Sequence, residues 1–203
     1  MNRRGATSSG RVAQSRVATL PPLPDLDAAL QQLLTQIPSG QVTSYGELAR
    51  ALGDVRLAAW IGGRMLDHPH GIDCPCHRVI RSNADLGRYI SGNPAEKARR
   101  LTAEGITVVD GRVSPAHALM RADSLQSEAP LHRLQTLQAE LAGQVREEPL
   151  PWVPEMWCGL DVAYPTPGLA QAAAVLVDTR TQTVVLRNVL CKPVTFPYVP
   201  GYL

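Results

Sequence analysis

The apolar residues of this chain change their spacing partway along it, and that change limits its possible folds more than any single residue does. Leu26, Ala29, Leu30, Leu33, Leu34 and Ile37 recur at i, i+3, i+4, i+7, i+8 and i+11, the stripe of an amphipathic helix. Pro38-Ser39-Gly40 stops it. Gln41-Val42-Thr43 reads as a short extended link, and Ser44 is placed to cap a second helix over 45–52. Gly53-Asp54 makes a turn before a third helix over 56–66. Two short helices joined by a Gly-containing turn form a helix-turn-helix pattern with the second as reader. After a break at 69–71 comes the run Pro75-Cys76-His77-Arg78-Val79-Ile80, then a loop over 82–92. Asn93, Pro94 and Glu96 have the spacing of a capping box, and Gly105 ends the helix they open. Val108 to Val113 reads as a strand and turn that closes a unit near residue 120.

The second half has a different character. Leu131, Leu134, Leu137, Leu141 and Val145 continue a helical stripe until Glu147-Glu148-Pro149-Leu150-Pro151. Strand signals follow at 160–164, 172–177 and 183–189. Helices first and strands afterwards predict an α+β chain rather than an alternating one. Three strands with exposed edges do not make a comfortable sheet on their own.

Composition excludes some classes. Twenty Lys and Arg against eighteen Asp and Glu give a net charge of +2, so any nucleic-acid surface must be local. No apolar run approaches the ~18 residues of a membrane span. The first 24 residues read as a disordered tail, with Arg3, Arg4, Arg11 and Arg16 and without the apolar stretch of a secretory signal. Of the four cysteines, Cys158 and Cys191 are isolated, and Cys74 and Cys76 are too close for an easy mutual disulfide. That usage fits a reducing cytoplasm. Cys74, Cys76, His77 and His70 do not follow zinc-site spacing.

The candidate chemistry centres on Cys76. A cysteine attacks as its thiolate and needs a base or cation beside it. His77 is adjacent, and neighbours in a regular element rarely bond directly, so a bridging water is expected. A carboxylate holding the imidazole would complete a triad-like set, and Glu104, at the end of its helix, is the candidate.

The stretch over 25–113 resembles the catalytic domain of O6-alkylguanine-DNA alkyltransferases. The resemblance is carried by Ile37-Pro38-Ser39-Gly40-Gln41-Val42, Ser44-Tyr45-Gly46-Glu47-Leu48-Ala49, Gly62-Gly63, the Pro75–Ile80 run, Gly87-Arg88-Tyr89, Lys97 and Leu101-Thr102-Ala103-Glu104-Gly105. It implies that Cys76 accepts an alkyl group, typically methyl, from O6 of guanine in double-stranded DNA and keeps it, so that each molecule acts once, without a cofactor. His77 would take the thiol proton through water and Glu104 would orient His77. Tyr45 would sit by the flipped nucleotide's phosphate and donate toward the departing base. Gly46, Asp54, Arg56, Ala59 and Trp60 would belong to the DNA-binding surface, and Val79, Ser82, Tyr89 and Ile90 to the base pocket. Arg78 would be an internal arginine. Three positions depart from the family pattern. Ala59 stands where an arginine fills the gap left by the flipped base, with Arg56 or Trp60 as possible replacements. His68 stands for an asparagine of the Cys-His-Glu network, and Ile90 for a serine near O6. These departures keep open a second reading, a module that recognises alkylated guanine without repairing it.

From about residue 128 the chain resembles the start of endonuclease V, a nuclease of deaminated bases with a ribonuclease-H-like fold. Glu147-Glu148-Pro149-Leu150-Pro151-Trp152, Gly159-Leu160-Asp161-Val162-Ala163-Tyr164, Ala172-Ala173-Ala174-Val175 and Phe196-Pro197-Tyr198-Val199-Pro200-Gly201 carry it. The resemblance makes Asp161 the first metal carboxylate and Pro197-Tyr198-Val199-Pro200 a lesion wedge. Mg2+ is expected only for a complete endonuclease V domain, since the family's later carboxylates lie beyond residue 203. No nuclease activity is therefore expected from these residues, which read as a piece of a longer fused repair protein. The whole reads as a tail over 1–24, an alkyltransferase domain over 25–120 with a winged-helix-like helix-turn-helix, and a linker helix with a partial ribonuclease-H-like α/β segment over 121–203. It is expected to act as a cytoplasmic monomer on DNA, with no membrane partner.

Overall fold

The computed structural model describes residues 22–67, 74–166, 168–194 and 196–199. Most of the expected tail, together with His68, His70, Pro200 and Gly201, lies outside the described residues.

Helix α1, Leu26–Thr35, starts where the Asp25 carboxylate accepts from Ala28 N–H at 2.9 Å. It buries Leu26, Leu30, Leu33 and Leu34, the stripe seen in the sequence. Strand β1, Val42–Ser44, runs directly into α2, Tyr45–Ala51, whose cap is the Ser44 hydroxyl accepting from Glu47 N–H. The expected third helix begins as a 3-10 turn, Val55–Leu57, capped by Asp54, and becomes α3 at Ala58–Asp67. Strand β2, Val79–Ile80, follows a second 3-10 turn, Pro75–Arg78. Helix α4 spans Pro94–Ala103, with Asn93 accepting from Ala95 N–H at 3.0 Å. The expected capping box does not close. Glu96 turns along the helix to Arg100, and Ser91 Oγ takes the Asn93 N–H instead. Gly105 ends the helix at φ +85°.

Strands β3, Val108–Val109, and β4, Arg112–Val113, form the expected small hairpin. Strand β5, Leu119–Met120, joins β1 and β2 in a parallel sheet ordered β2-β1-β5. Thr43 lies opposite Val79 and Ser44 opposite Ile80. This short pairing fixes the entry to α2 against the exit of the Pro75–Arg78 turn.

The main apolar cluster joins α1, α2, α3 and the cysteine turn. It continues past residue 120 through Leu125 and Leu131. Helix α5, Pro130–Ala142, docks at its first turn, where the Leu131 N–H donates to Leu52 O at 2.9 Å. Gly53 permits that approach, because a Cβ there would stand 2.5 Å from His132 N. Phe196 packs on the same cluster, and Val199 is buried within it. A second cluster of Val42, Ile80, Leu86, Leu101, Ile106 and Val113 seats α4.

The last three strands, β6 (Met156–Thr166), β7 (Leu169–Asp178) and β8 (Thr183–Pro193), form one antiparallel sheet in chain order. It pairs its backbone groups but leaves Trp157, Leu160, Val162, Tyr164, Leu186 and Leu190 exposed. The molecule is thus a mixed helix-and-sheet structure. Among the described residues no helix is long and apolar enough to cross a membrane.

Candidate active site

The 3-10 turn Pro75–Arg78 is the centre of the site. Pro75 has its φ already suited to the first position of a helix and lacks the N–H that such a position would leave unpaired. The turn carries Cys76 and His77 into the core at 4% and 7% exposure. His77 Nε2 meets Glu104 Oε1 at 2.8 Å. Arg78 clamps the same carboxylate, with Nε at 2.9 Å from Oε2 and Nη2 at 2.7 Å from Oε1, while Nη1 donates to Ile37 O at 2.6 Å. Arg78 is therefore an internal brace that ties the cysteine turn to α1 and to the end of α4.

Burial alone would raise the Glu104 pKa, but hydrogen bonds and charge from Arg78 and His77 outweigh it and bring the carboxyl down to about 2. Glu104 is ionised at neutral pH and can only accept, so the proton of the His77–Glu104 bond is on His77 Nε2. His77 Nδ1 is buried and makes no hydrogen bond among the described residues.

Burial pushes the Cys76 thiol up to about 12, helped by the charge and hydrogen bond of Cys74 and opposed by a Tyr89 hydrogen bond and by Lys97. Burial and Cys76 likewise lift Tyr89 to about 12. At neutral pH Cys76 rests as a thiol, and a cysteine of this kind becomes a nucleophile only once its proton is removed. Tyr45 stands half-buried on the first turn of α2. Burial raises its hydroxyl pKa, with Arg81 and Arg88 opposing and Cys76 assisting. Gly46 follows it, and a Cβ there would make only ordinary contact, at 3.6 Å, with Arg50 Nη1 and Ser44 Oγ.

Lys97, to which the sequence assigns no role, is the largest fully buried side chain among the described residues. Its Nζ donates to Val79 O and Leu86 O, both at 2.6 Å, and lies 5.9 Å from the Tyr45 ring centre. Burial lowers its pKa to about 8, against the pull of Cys76 and Asp85. The available signal was its place one turn before Leu101 on the inner stripe of α4.

The other expected site residues are spread around this centre. Asp54 is buried and caps the turn before α3, accepting from Arg56 N at 2.8 Å, Arg56 Nε at 2.9 Å and Gln135 Nε2 at 2.8 Å. The Arg56 head is thus engaged with Asp54. Ala59 is exposed on α3, and Trp60 is half-buried against the core. Val79 is buried, Ser82 is exposed and Ile90 is 40% exposed, in the segment around buried Tyr89. Asp161 is on the other sheet, opposite Ala173 in β7. Among the described residues no three His, Cys, Asp or Glu side chains group as a metal site. Asp161 and its surroundings do not by themselves fit a magnesium centre.

Two family models match the chain. Residues 25–106 match "6-O-methylguanine DNA methyltransferase, DNA binding domain", and residues 139–203 match "Endonuclease V". A bifunctional methyltransferase/endonuclease of Picrophilus torridus is 36% identical over 179 residues, covering 88% of this chain and 57% of that protein. The methylated-DNA–protein-cysteine methyltransferase of Cricetulus griseus is 42% identical over 77 residues, 38% of this chain and 37% of that protein. The Escherichia coli DNA base-flipping protein is 35% identical over 78 residues, 38% of this chain and 59% of that protein. The chain spans little more than half the length of the bifunctional relative. Residues 25–106 are thus similar to the 6-O-methylguanine DNA methyltransferase DNA-binding domain, and residues 139–203 to endonuclease V.

Proposed function

We propose that this protein repairs DNA by irreversible transfer of an alkyl group from O6 of guanine to Cys76. The observation that carries this reading is the polarity of His77. Its Nε2–H is held by an ionised Glu104, and its Nδ1 is buried with no hydrogen bond among the described residues, on the same short turn as Cys76. Through a bridging water, Nδ1 takes the Cys76 proton. The sulfur then attacks the alkyl carbon, an S–C bond forms and the C–O6 bond breaks. The electron pair leaves on the guanine, and the Tyr45 hydroxyl, which burial keeps protonated, donates to it. Neutralising the base as it departs makes it a better leaving group. The thioether at Cys76 has no route back, so each molecule turns over once.

In this reading 25–120 is the alkyltransferase unit, a winged-helix-like helix-turn-helix with α3 as its reader. Residues 121–203 supply a linker helix and a ribonuclease-H-like segment. The DNA is double-stranded, the target base leaves the stack to reach the buried sulfur, and the protein acts as a cytoplasmic monomer. Asp54 serves the DNA surface indirectly, by holding Arg56 at the start of α3. Asp161 would bind Mg2+ only within a complete endonuclease V domain.

The test is intact-mass analysis after incubation with an O6-methylguanine duplex. The expected product is a single adduct of about 14 Da, one added CH2, on the peptide holding Cys76, absent from Cys76→Ala. One observation favours a second reading, lesion recognition without transfer. Ala59 leaves the exposed face of α3 without a side chain to fill the stack, and the relative from Escherichia coli is named for base flipping alone. Lesion binding without an adduct, equal in wild type and Cys76→Ala, would establish that reading and sink the first.

A further inference from the structure

Cys74 has no part in the transfer chemistry, yet one proline separates it from Cys76. Both side chains are in the same apolar cluster, 8% and 4% exposed. In extended backbone, positions i and i+2 stand about 6.6 Å apart, which is why two such cysteines do not bridge easily. Here Pro75 opens a 3-10 turn, and that geometry brings Cα atoms two residues apart to about 5 Å. A disulfide spans roughly 4.4–6.8 Å between Cα atoms. The two side chains are also close enough for Cys74 to act electrostatically on the Cys76 thiol. Among the described residues neither cysteine is in a disulfide.

We propose that Cys74 and Cys76 form a redox-reactive dithiol, in which a peroxide oxidises Cys76 and Cys74 resolves the product as an intramolecular disulfide that thiol reductants reopen. His77 prepares Cys76 for peroxide as it does for an alkyl carbon, by taking its proton. The Cys76 sulfur attacks one peroxide oxygen, the O–O bond breaks, and Cys76 becomes a sulfenic acid while the other oxygen leaves as water. The Cys74 sulfur then attacks the Cys76 sulfur. The S–S bond forms, the S–O bond breaks, and the hydroxyl leaves as water with the Cys74 proton. Two thiols lose two electrons and two protons, and one peroxide becomes two waters. A small, tight ring makes such a disulfide easy to reduce. Without Cys74 the sulfenic acid proceeds to sulfinic acid, which thiols do not reverse. A nucleophile that is consumed by a single alkylation is thereby spared consumption by oxidant. A peroxide is smaller than the alkylguanine that must reach the same sulfur. The effect on repair rests on the reading of Cys76 as alkyl acceptor; the dithiol itself does not.

The test uses the full chain carrying Cys158→Ser and Cys191→Ser, which removes the two exposed thiols. Reduced protein is treated with hydrogen peroxide, remaining thiols are blocked with N-ethylmaleimide, and trypsin releases residues 65–78 as one peptide holding both cysteines. The expected peptide is unblocked and lighter by about 2 Da, the two hydrogens lost, and dithiothreitol restores it. Alkyl transfer is lost on oxidation and returns on reduction. With Cys74→Ser added, Cys76 instead gains about 32 Da and stays oxidised. Sulfinic acid at Cys76 of the Cys74-containing protein at the same rate, or both thiols still open to maleimide, would overturn the proposal. A reversible disulfide in a protein that transfers nothing when reduced would support the dithiol and overturn only the proposed function.

Discussion

Replacing Glu104 by Gln tests the centre of the site in one change. The carboxylate accepts from Arg78 Nη2 at 2.7 Å, from Arg78 Nε at 2.9 Å and from His77 Nε2 at 2.8 Å. An amide has nearly the same shape, but one of its two acceptors becomes a donor facing donors. The Arg78 side chain is only 18% exposed, so its charge is left poorly compensated. Breaking a buried pair from one side costs about 3–5 kcal/mol, and partial exposure places this case near ~3 kcal/mol. The pKa gives a matching figure. A fall from 4.5 to about 2 corresponds to ~3 kcal/mol at neutral pH. Because the folded-state pKa is depressed, this stability is present above pH 4.5 and is lost as pH falls through about 2. The assay is urea unfolding of wild type and Glu104→Gln at steps from pH 7 to pH 2. The gap between them should be ~3 kcal/mol at pH 7 and close toward zero at pH 2. Transfer should slow by roughly 100-fold or more, since the amide no longer fixes the His77 tautomer. A gap under about 1 kcal/mol at pH 7, or one that does not narrow in acid, would refute the carboxylate's role as the charged hub.

Other outcomes follow from neighbouring groups. Lys97 is charged at a cost below its folded pKa of about 8, while the unfolded chain keeps its proton to 10.5; the wild type should therefore gain ~3 kcal/mol relative to Lys97→Met as pH rises across that window, read by denaturant titration. Gly53→Ala places a Cβ 2.5 Å from His132 N at φ +107°, and a loss of at least ~2 kcal/mol with detachment of α5 is expected, seen as lost amide protection at Leu131. Leu131→Ala empties a fully buried position and should cost about 3 kcal/mol by urea unfolding.

The helices were legible in the chain because their signals are local. The stripe of α1, the Ser44 and Asn93 caps, and the Gly105 stop each act within a few residues, so the sequence located them to within about two positions. Capping details were less legible. Glu96 had the spacing of a capping box, but Arg100 and Ser91 competed for the same groups. The strands β6, β7 and β8 began earlier or ran longer than their densest apolar cores suggested, because backbone pairing extends a strand past the residues that signal it.

What the sequence determined by itself was the inventory: a Pro-Cys-His-Arg run, a glutamate at a helix end, a tyrosine on a capped turn, and two halves with different periods. Tertiary structure decided which of these meet. Glu104 reaches His77 across 27 positions only because α4 is seated by the Ile80, Leu86 and Leu101 cluster. Tyr45 and Cys76 share one electrostatic environment because β1 pairs with β2. Asp54 is claimed by Arg56 and by Gln135, a residue from a helix placed in a different unit on sequence grounds. The physical reason is the same each time. Periodicity and caps act along the chain, whereas burial, pKa and the pairing of charges depend on neighbours that only packing supplies.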